Sequence, residues 1–143
     1  MDCVIDVSFA AAWFLEDEST PVSRNVLAAY ARGAVRFAVP HLLAYELANA
    51  LLMAHRRRRL DAEDYAKAKG AFASMHFLYH DQADEVCGKR IFELAERHHL
   101  TAYDAAYLEL ADRLQMPLLT GDVRLETAAR ERNVPTSIKL TRQ

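Results

Sequence analysis

The stretch Val35-Arg36-Phe37-Ala38-Val39-Pro40-His41-Leu42-Leu43-Ala44-Tyr45-Glu46-Leu47 changes its hydrophobic period half-way along. Up to Val39 it alternates and then meets a proline, which fits a strand. From His41 the apolar residues recur at helical spacing, through Leu43, Leu47, Ala50 and Ala54, and predict a helix to about Arg58. A short apolar strand running straight into an amphipathic helix is the repeating unit of an α/β sheet.

The unit recurs on both sides. Upstream, Cys3-Val4-Ile5 reads as a buried strand ending at Asp6. A helix is expected from Ser8 to Leu15 with Phe9, Ala12 and Trp13 on one face. Ser19-Thr20-Pro21 starts a second helix that Gly33 stops. Downstream, helices are expected over Ala62 to Ser74, Ala83 to Arg97 (Val86, Ile91, Leu94 and Ala95 inward), Ala102 to Gln115 and Val123 to Arg132. Strands are expected at Phe77-Leu78-Tyr79 and Pro117-Leu118-Leu119-Thr120, with a last one at Ser137-Ile138-Lys139-Leu140. The fold class is α/β, a mainly parallel sheet between two helical layers, and residues 1–143 read as one domain.

Composition narrows the function classes. A charge balance of 18 bases to 20 acids excludes a globally basic nucleic-acid coat. Cys3 and Cys87 form no CxxC pair, so a reduced, cytoplasmic protein is expected. No basic leader precedes an apolar run, and no run approaches the roughly 20 residues of a membrane span. The histidines make no HxxxH or HExxH pair, and there is no GxxxxGK[ST] or GxGxxG loop. Position 8 is Ser, so the Asp-x-Asp of a haloacid-dehalogenase-type phosphatase is missing, and only Asp6 fits the acids of a phosphate-accepting receiver domain.

In parallel α/β sheets, ligands bind at the carboxyl ends of the strands. Asp6 ends the first strand and Asp122 follows the last-but-one. Glu46 falls on the apolar stripe of its helix, and Asp104 opens a helix whose inward face runs through Tyr107, Leu108 and Ala111. Each acid also has a structural reading. Asp6 and Asp122 can cap helices, Thr101-x-x-Asp104 matches a capping box, and Glu46 can pair with a buried arginine or reach solvent at the edge of its stripe. Together, however, they cannot share a cleft bare. Two like charges about 5 Å apart repel by roughly 3 kcal/mol at an effective dielectric of 20. Carboxylates without a His or Cys cluster favour Mg²⁺ or Mn²⁺, and the chemistry suited to such a site is phosphate-ester hydrolysis.

These stretches also resemble a known family. Val4-Ile5-Asp6-Val7-Ser8, Tyr45-Glu46-Leu47-Ala48-Asn49-Ala50-Leu51, Thr101-Ala102-Tyr103-Asp104-Ala105-Ala106-Tyr107 and Leu118-Leu119-Thr120-Gly121-Asp122 are similar, in order and spacing, to the four acidic motifs of PIN-domain ribonucleases. Nearly the whole chain resembles the VapC toxins of toxin–antitoxin pairs. The resemblance implies a three-layer α/β/α PIN fold and a Mg²⁺- or Mn²⁺-dependent endoribonuclease in which Asp6, Glu46, Asp104 and Asp122 are the catalytic metal ligands. It makes Ser8 and Thr120 hydroxyls that orient carboxylates or water from behind. It further implies attack of a metal-activated water on RNA, leaving a 5′-phosphate and a 3′-hydroxyl. The partners it implies are RNA (a transfer RNA first), a VapB-type antitoxin and a second copy in a homodimer. The alternative is a PIN-like module that binds without cleaving.

The run Arg56-Arg57-Arg58-Arg59 has two readings, cations at a helix C-terminus and contacts to RNA phosphates. The aromatic stretch Phe72, Met75, Phe77 and Tyr79 reads as core, with a dimer or antitoxin surface as its rival.

Overall fold

Four strands carry the sheet: β1 (Asp2–Ile5), β2 (Arg36–Pro40), β3 (Phe77–His80) and β4 (Leu118–Leu119). All pair in parallel, in the order β3-β2-β1-β4. The structure, a computed structural model, describes residues 1–80 and 84–140 apart from the Val86 side chain. The expected inward position of Val86 and a helix start at Ala83 therefore lie outside the described residues. The helices are α1 (Val7–Ala11), α2 (Pro21–Ala31), α3 (Leu42–Arg56), α4 (Ala62–Ser74), α5 (Glu85–His98), α6 (Ala102–Leu114) and α7 (Val123–Glu131).

The strand order fixes the layers. The chain steps from β1 to β2 to β3 in one direction, then recrosses to β4 on the far side of β1. Right-handed crossovers then put α1 to α4 on one face and α5 and α6 on the other. The packing agrees: α1 and α4 lie against α3, while α5 and α7 lie against α6. The chains leaving β1 and β4 part to opposite faces, so their carboxyl ends frame a crevice at the topological switch point.

Local sequence accounts for most element ends. Thr20 and Ser23 form a reciprocal capping box ahead of Pro21. Gly33 takes a φ of +73°, a left-handed value that glycine adopts without strain, and turns the chain into β2. Cys3, Val4 and Ile5 are wholly buried in the central strand. Cys3 and Cys87 are buried free thiols.

Three expectations need correction. First, α1 stops at Ala11, and a 3₁₀ turn at Glu16–Glu18 follows instead of helix up to Leu15. Trp13 draws the chain off the helical path by donating from Nε1 to the Ser23 carbonyl at 2.9 Å and packing on Phe9 and Phe37. Second, Ser137 to Leu140 is not a strand. Pro135 accepts one bond from the Leu118 amide at 2.8 Å but has no N–H to return, and Ile138 and Leu140 pack on the core without a ladder. Third, the buried stripe of α3 is Leu43, Leu47, Leu51 and Ala54, so Ala50 and Glu46 lie on its half-buried flank. The helix also ends at Arg56, because Arg58 turns left-handed with φ +61°.

Leu47 has no exposed surface and sits mid-stripe. Leu47→Ala is expected to lower unfolding free energy by about 3 kcal/mol in urea denaturation, through lost transfer energy and the cavity left behind.

Candidate metal and active site

Asp6 follows β1 directly and is 2% exposed. Its carboxylate is held on every side. Oδ1 accepts the Phe9 amide at 2.9 Å, which caps α1. The Ser8 hydroxyl lies 2.8 Å from both oxygens. Oδ2 accepts the Thr120 hydroxyl at 2.6 Å, across from β4. The two hydroxyls are themselves fixed from behind: the Gly121 amide donates to Ser8 Oγ at 2.8 Å, and the Asp122 amide donates to Thr120 Oγ1 at 2.9 Å. Two relays thus run from the β4–α7 turn to one buried carboxylate. A Cβ on Gly121 would stand 3.3 Å from Ser8 Oγ, so the close approach favours glycine there.

The other three acids come from α3, α6 and the start of α7, and their charges couple them to Asp6 and to one another. Burial pushes the Asp6 carboxyl above its ordinary range, against the pull of its hydrogen bonds, and the Asp104 charge adds to the push. Glu46 is pushed up to about 7, first by burial, then by the charges of Asp104 and Asp6. Asp104 is raised by burial and by Asp122, and lowered by its hydrogen bond with Thr101. Asp122 is thus linked to the group through Asp104. Its Oδ1 also caps α7, accepting the Arg124 and Leu125 amides at 2.8 and 3.0 Å. A recess of about 260 Å³ opens between Asp104 and Asp122, with Thr101 and Arg124 on its walls.

Glu46 Oε1 is buried without a hydrogen-bond partner. The hydroxyl of Tyr107, wholly buried one turn after Asp104, is also unpartnered and close enough to pull the Glu46 carboxyl slightly down. Burial, then the charges of Glu46, Asp6 and Asp104, raise the Tyr107 phenol in turn. In the sequence Tyr107 reads as core. Its i+3 spacing from Asp104 is the signal that it shares the acid's face.

Among the described residues, no three His, Cys, Asp or Glu side chains are gathered closely enough to make a ready-built metal cage. The donor set nonetheless fits a hard divalent cation. It is all oxygen, it carries uncompensated mutual repulsion, and it includes a buried carboxylate oxygen with no other partner.

The arginine run divides. Arg59 is committed to the fold, at 2.8 Å from both Asp17 and Glu18. Arg56, Arg57 and Arg58 are exposed, and Arg57 continues the helical face that carries Glu46. In the aromatic stretch, Phe72, Met75 and Phe77 pack against the core, whereas Tyr79 is exposed and stacks on His41 at 5.1 Å.

The PIN-domain family model matches residues 3–131. The chain belongs to the PIN-domain family. Its relatives there are of the VapC type. It is 36% identical over 124 residues to VapC ribonuclease Mb0985 of Mycobacterium bovis, spanning 85% of this chain and 87% of that one. Ribonuclease VapC3 of Pyrobaculum aerophilum is 32% identical over 130 residues, 87% of this chain and 92% of the relative. The crystal structure of PAE2754 from Pyrobaculum aerophilum superposes with a TM-score of 0.60, covering 90% of this chain and 84% of that one, at 23% identity. That likeness shares the fold. Among the described residues, no helix of this PIN domain is long and apolar enough to cross a membrane.

Two measurements probe the site. Thr120→Val orphans the Asp122 amide and strips a donor from buried Asp6, and is expected to cost about 2 kcal/mol in urea denaturation. Glu46 has a folded pKa of about 7 against an ordinary 4.5, so the folded state holds its proton more tightly. The Glu46 contribution to stability is then fully present below about 4.5, is lost as pH rises through 7, and is absent above. Glu46→Gln in chelator is expected to raise the melting temperature at pH 8 by about 3 °C, a gain of roughly 1 kcal/mol after solvent screening. The gain disappears at pH 4.

Proposed function

We propose that the chain is a Mg²⁺- or Mn²⁺-dependent endoribonuclease, the toxin of a toxin–antitoxin pair. The relatives named as VapC ribonucleases support an RNA-cleaving activity. The observation that carries the metal-dependent reading is Glu46. A half-buried carboxylate with an unpartnered oxygen, set beside two like charges, is held at a cost that a bound cation removes.

In this reading Asp6, Glu46, Asp104 and Asp122 hold the cation. When bound, it lowers the pKa of a water and neutralises charge building on the phosphoryl oxygens. The chain's own residues do the positioning. Ser8 and Thr120 fix both oxygens of Asp6, so its rotamer is set before any ligand arrives. Asp122 keeps one oxygen on the α7 amides and lines the recess shared with Asp104. Tyr107 places its buried hydroxyl near Glu46, close enough to favour the charged carboxylate. The retention of all four acids speaks for catalysis over a binding-only PIN module.

The proposed partners are RNA, which the relatives' ribonuclease names support, with transfer RNA the first class to test, together with a VapB-type antitoxin and a second copy of the chain. The decisive assay is cleavage of RNA by purified protein with Mg²⁺ or Mn²⁺. Cleavage is expected to stop in chelator and to fall at least about 100-fold in Asp104→Asn, which corresponds to about 2.7 kcal/mol. Equal cleavage by wild type and Asp104→Asn, or cleavage that survives chelation, contradicts the proposal.

A further inference from the structure

A second groove lies between α1 and α3, with Ser8, the residue whose hydroxyl binds Asp6, on its wall. Glu46, Ala50, Met53 and Arg57 recur at i, i+4, i+7 and i+11 and so share one face of α3. Ala50, Met53 and Arg57 line a cavity of about 240 Å³ whose opposite wall, from α1, includes Val7, Ser8 and Ala11. The groove therefore touches the hydroxyl that binds Asp6 at one end and a guanidinium at the other. At 1.5 Å rise per residue, Glu46 and Arg57 are about 16 Å apart along the helix.

The charges along this groove are unequal. Arg59 and Glu18, which also line it, neutralise each other at 2.8 Å. Arg57 makes no ion pair among the described residues and is exposed. The remaining walls are mostly apolar, from Val7, Ala11, Leu15, Ala50 and Met53. A groove that runs from Ser8, beside the proposed cleavage site, to an exposed guanidinium suits a single sugar–phosphate chain, because guanidinium groups bind phosphate through paired donors.

We infer that the α1–α3 groove is the binding path of the unpaired RNA backbone beside the cleaved bond, with Arg57 holding one phosphate about 16 Å from Glu46. The inference rests on the ribonuclease reading and adds what that reading lacks, the direction the strand takes. It also divides the arginine run: Arg57 meets RNA, Arg59 braces the 3₁₀ turn, and Arg58, beyond the helix end, stands outside the groove.

The test uses the full chain carrying Asp104→Asn, so that RNA stays intact, and a short unpaired oligoribonucleotide read by fluorescence anisotropy from about 50 to 200 mM salt. Added Arg57→Gln is expected to weaken binding about tenfold and to flatten the salt dependence by about 0.7 in log–log slope, one phosphate contact's worth on a single strand. Arg57→Lys restores the slope. Arg58→Gln, an equal change of charge one residue on, alters neither. The inference is overturned if Arg57→Gln binds like its parent, or if Arg57→Gln and Arg58→Gln weaken binding equally. It is also overturned if a polyglutamate peptide, and not RNA, binds with the Arg57 dependence. Cleavage by protein with Asp104 intact separates the two readings. Cleavage without an Arg57 effect sinks the path alone. Arg57-dependent RNA binding without cleavage sinks the ribonuclease reading and leaves the groove an RNA-binding path only, overturning its place beside a cleaved bond.

Discussion

Mutual repulsion among Asp6, Glu46 and Asp104 is the constraint around which the rest of the molecule is arranged. Each of the three carries a raised pKa, and burial is the leading cause each time. The sheet order explains how they meet. Asp6 and the Thr120–Asp122 turn leave adjacent strands toward opposite faces, and α3 and α6 bring Glu46 and Asp104 to the same edge. No local preference of any single segment would assemble that set.

The three acids are not held alike. Asp6 is locked by one amide and two hydroxyls, each hydroxyl in turn fixed by a backbone amide from the β4–α7 turn. Glu46 is the opposite case, half-buried with an oxygen left bare. The proposed cation site would thus combine one preset carboxylate with one that has an oxygen to spare. The cost of leaving Glu46 bare is offset by the packed stripe beneath it, Leu43, Leu47, Leu51 and Ala54, which buries α3 against β2. Away from the crevice, a second charged group, Glu109 with Arg113 and Arg90, is fully paired and ties α5 to α6. The contrast separates a paired structural ion network from carboxylates left without a compensating cation among the described side chains.

Much of this was legible in the sequence. The strand-to-helix change at Pro40–His41, the Thr20-Pro21 start and the Gly33 stop each act through neighbours a few residues away, so they survive in the linear order. The four acidic motifs were legible for the same reason. What was hidden depends on distant residues. Trp13 breaks α1 because its indole finds the Ser23 carbonyl. Ser137 to Leu140 has strand-like composition but meets β4 through a proline. Tyr107 reads as core until Glu46 is placed opposite it. Four adjacent arginines look alike until the helix end sends Arg59 to Asp17 and Glu18 and leaves Arg57 on the face of Glu46.

The central claim is that four carboxylates, with a divalent cation, direct water onto an RNA phosphate. The chemistry of the RNA ends tests it most directly. A water nucleophile needs no 2′-hydroxyl, so the account predicts 5′-phosphate and 3′-hydroxyl ends and cleavage that persists when the nucleotide at the cut carries a 2′-deoxyribose. A 2′,3′-cyclic phosphate, or loss of cleavage on removing that one hydroxyl, would mean that the RNA supplies its own nucleophile and would contradict the account.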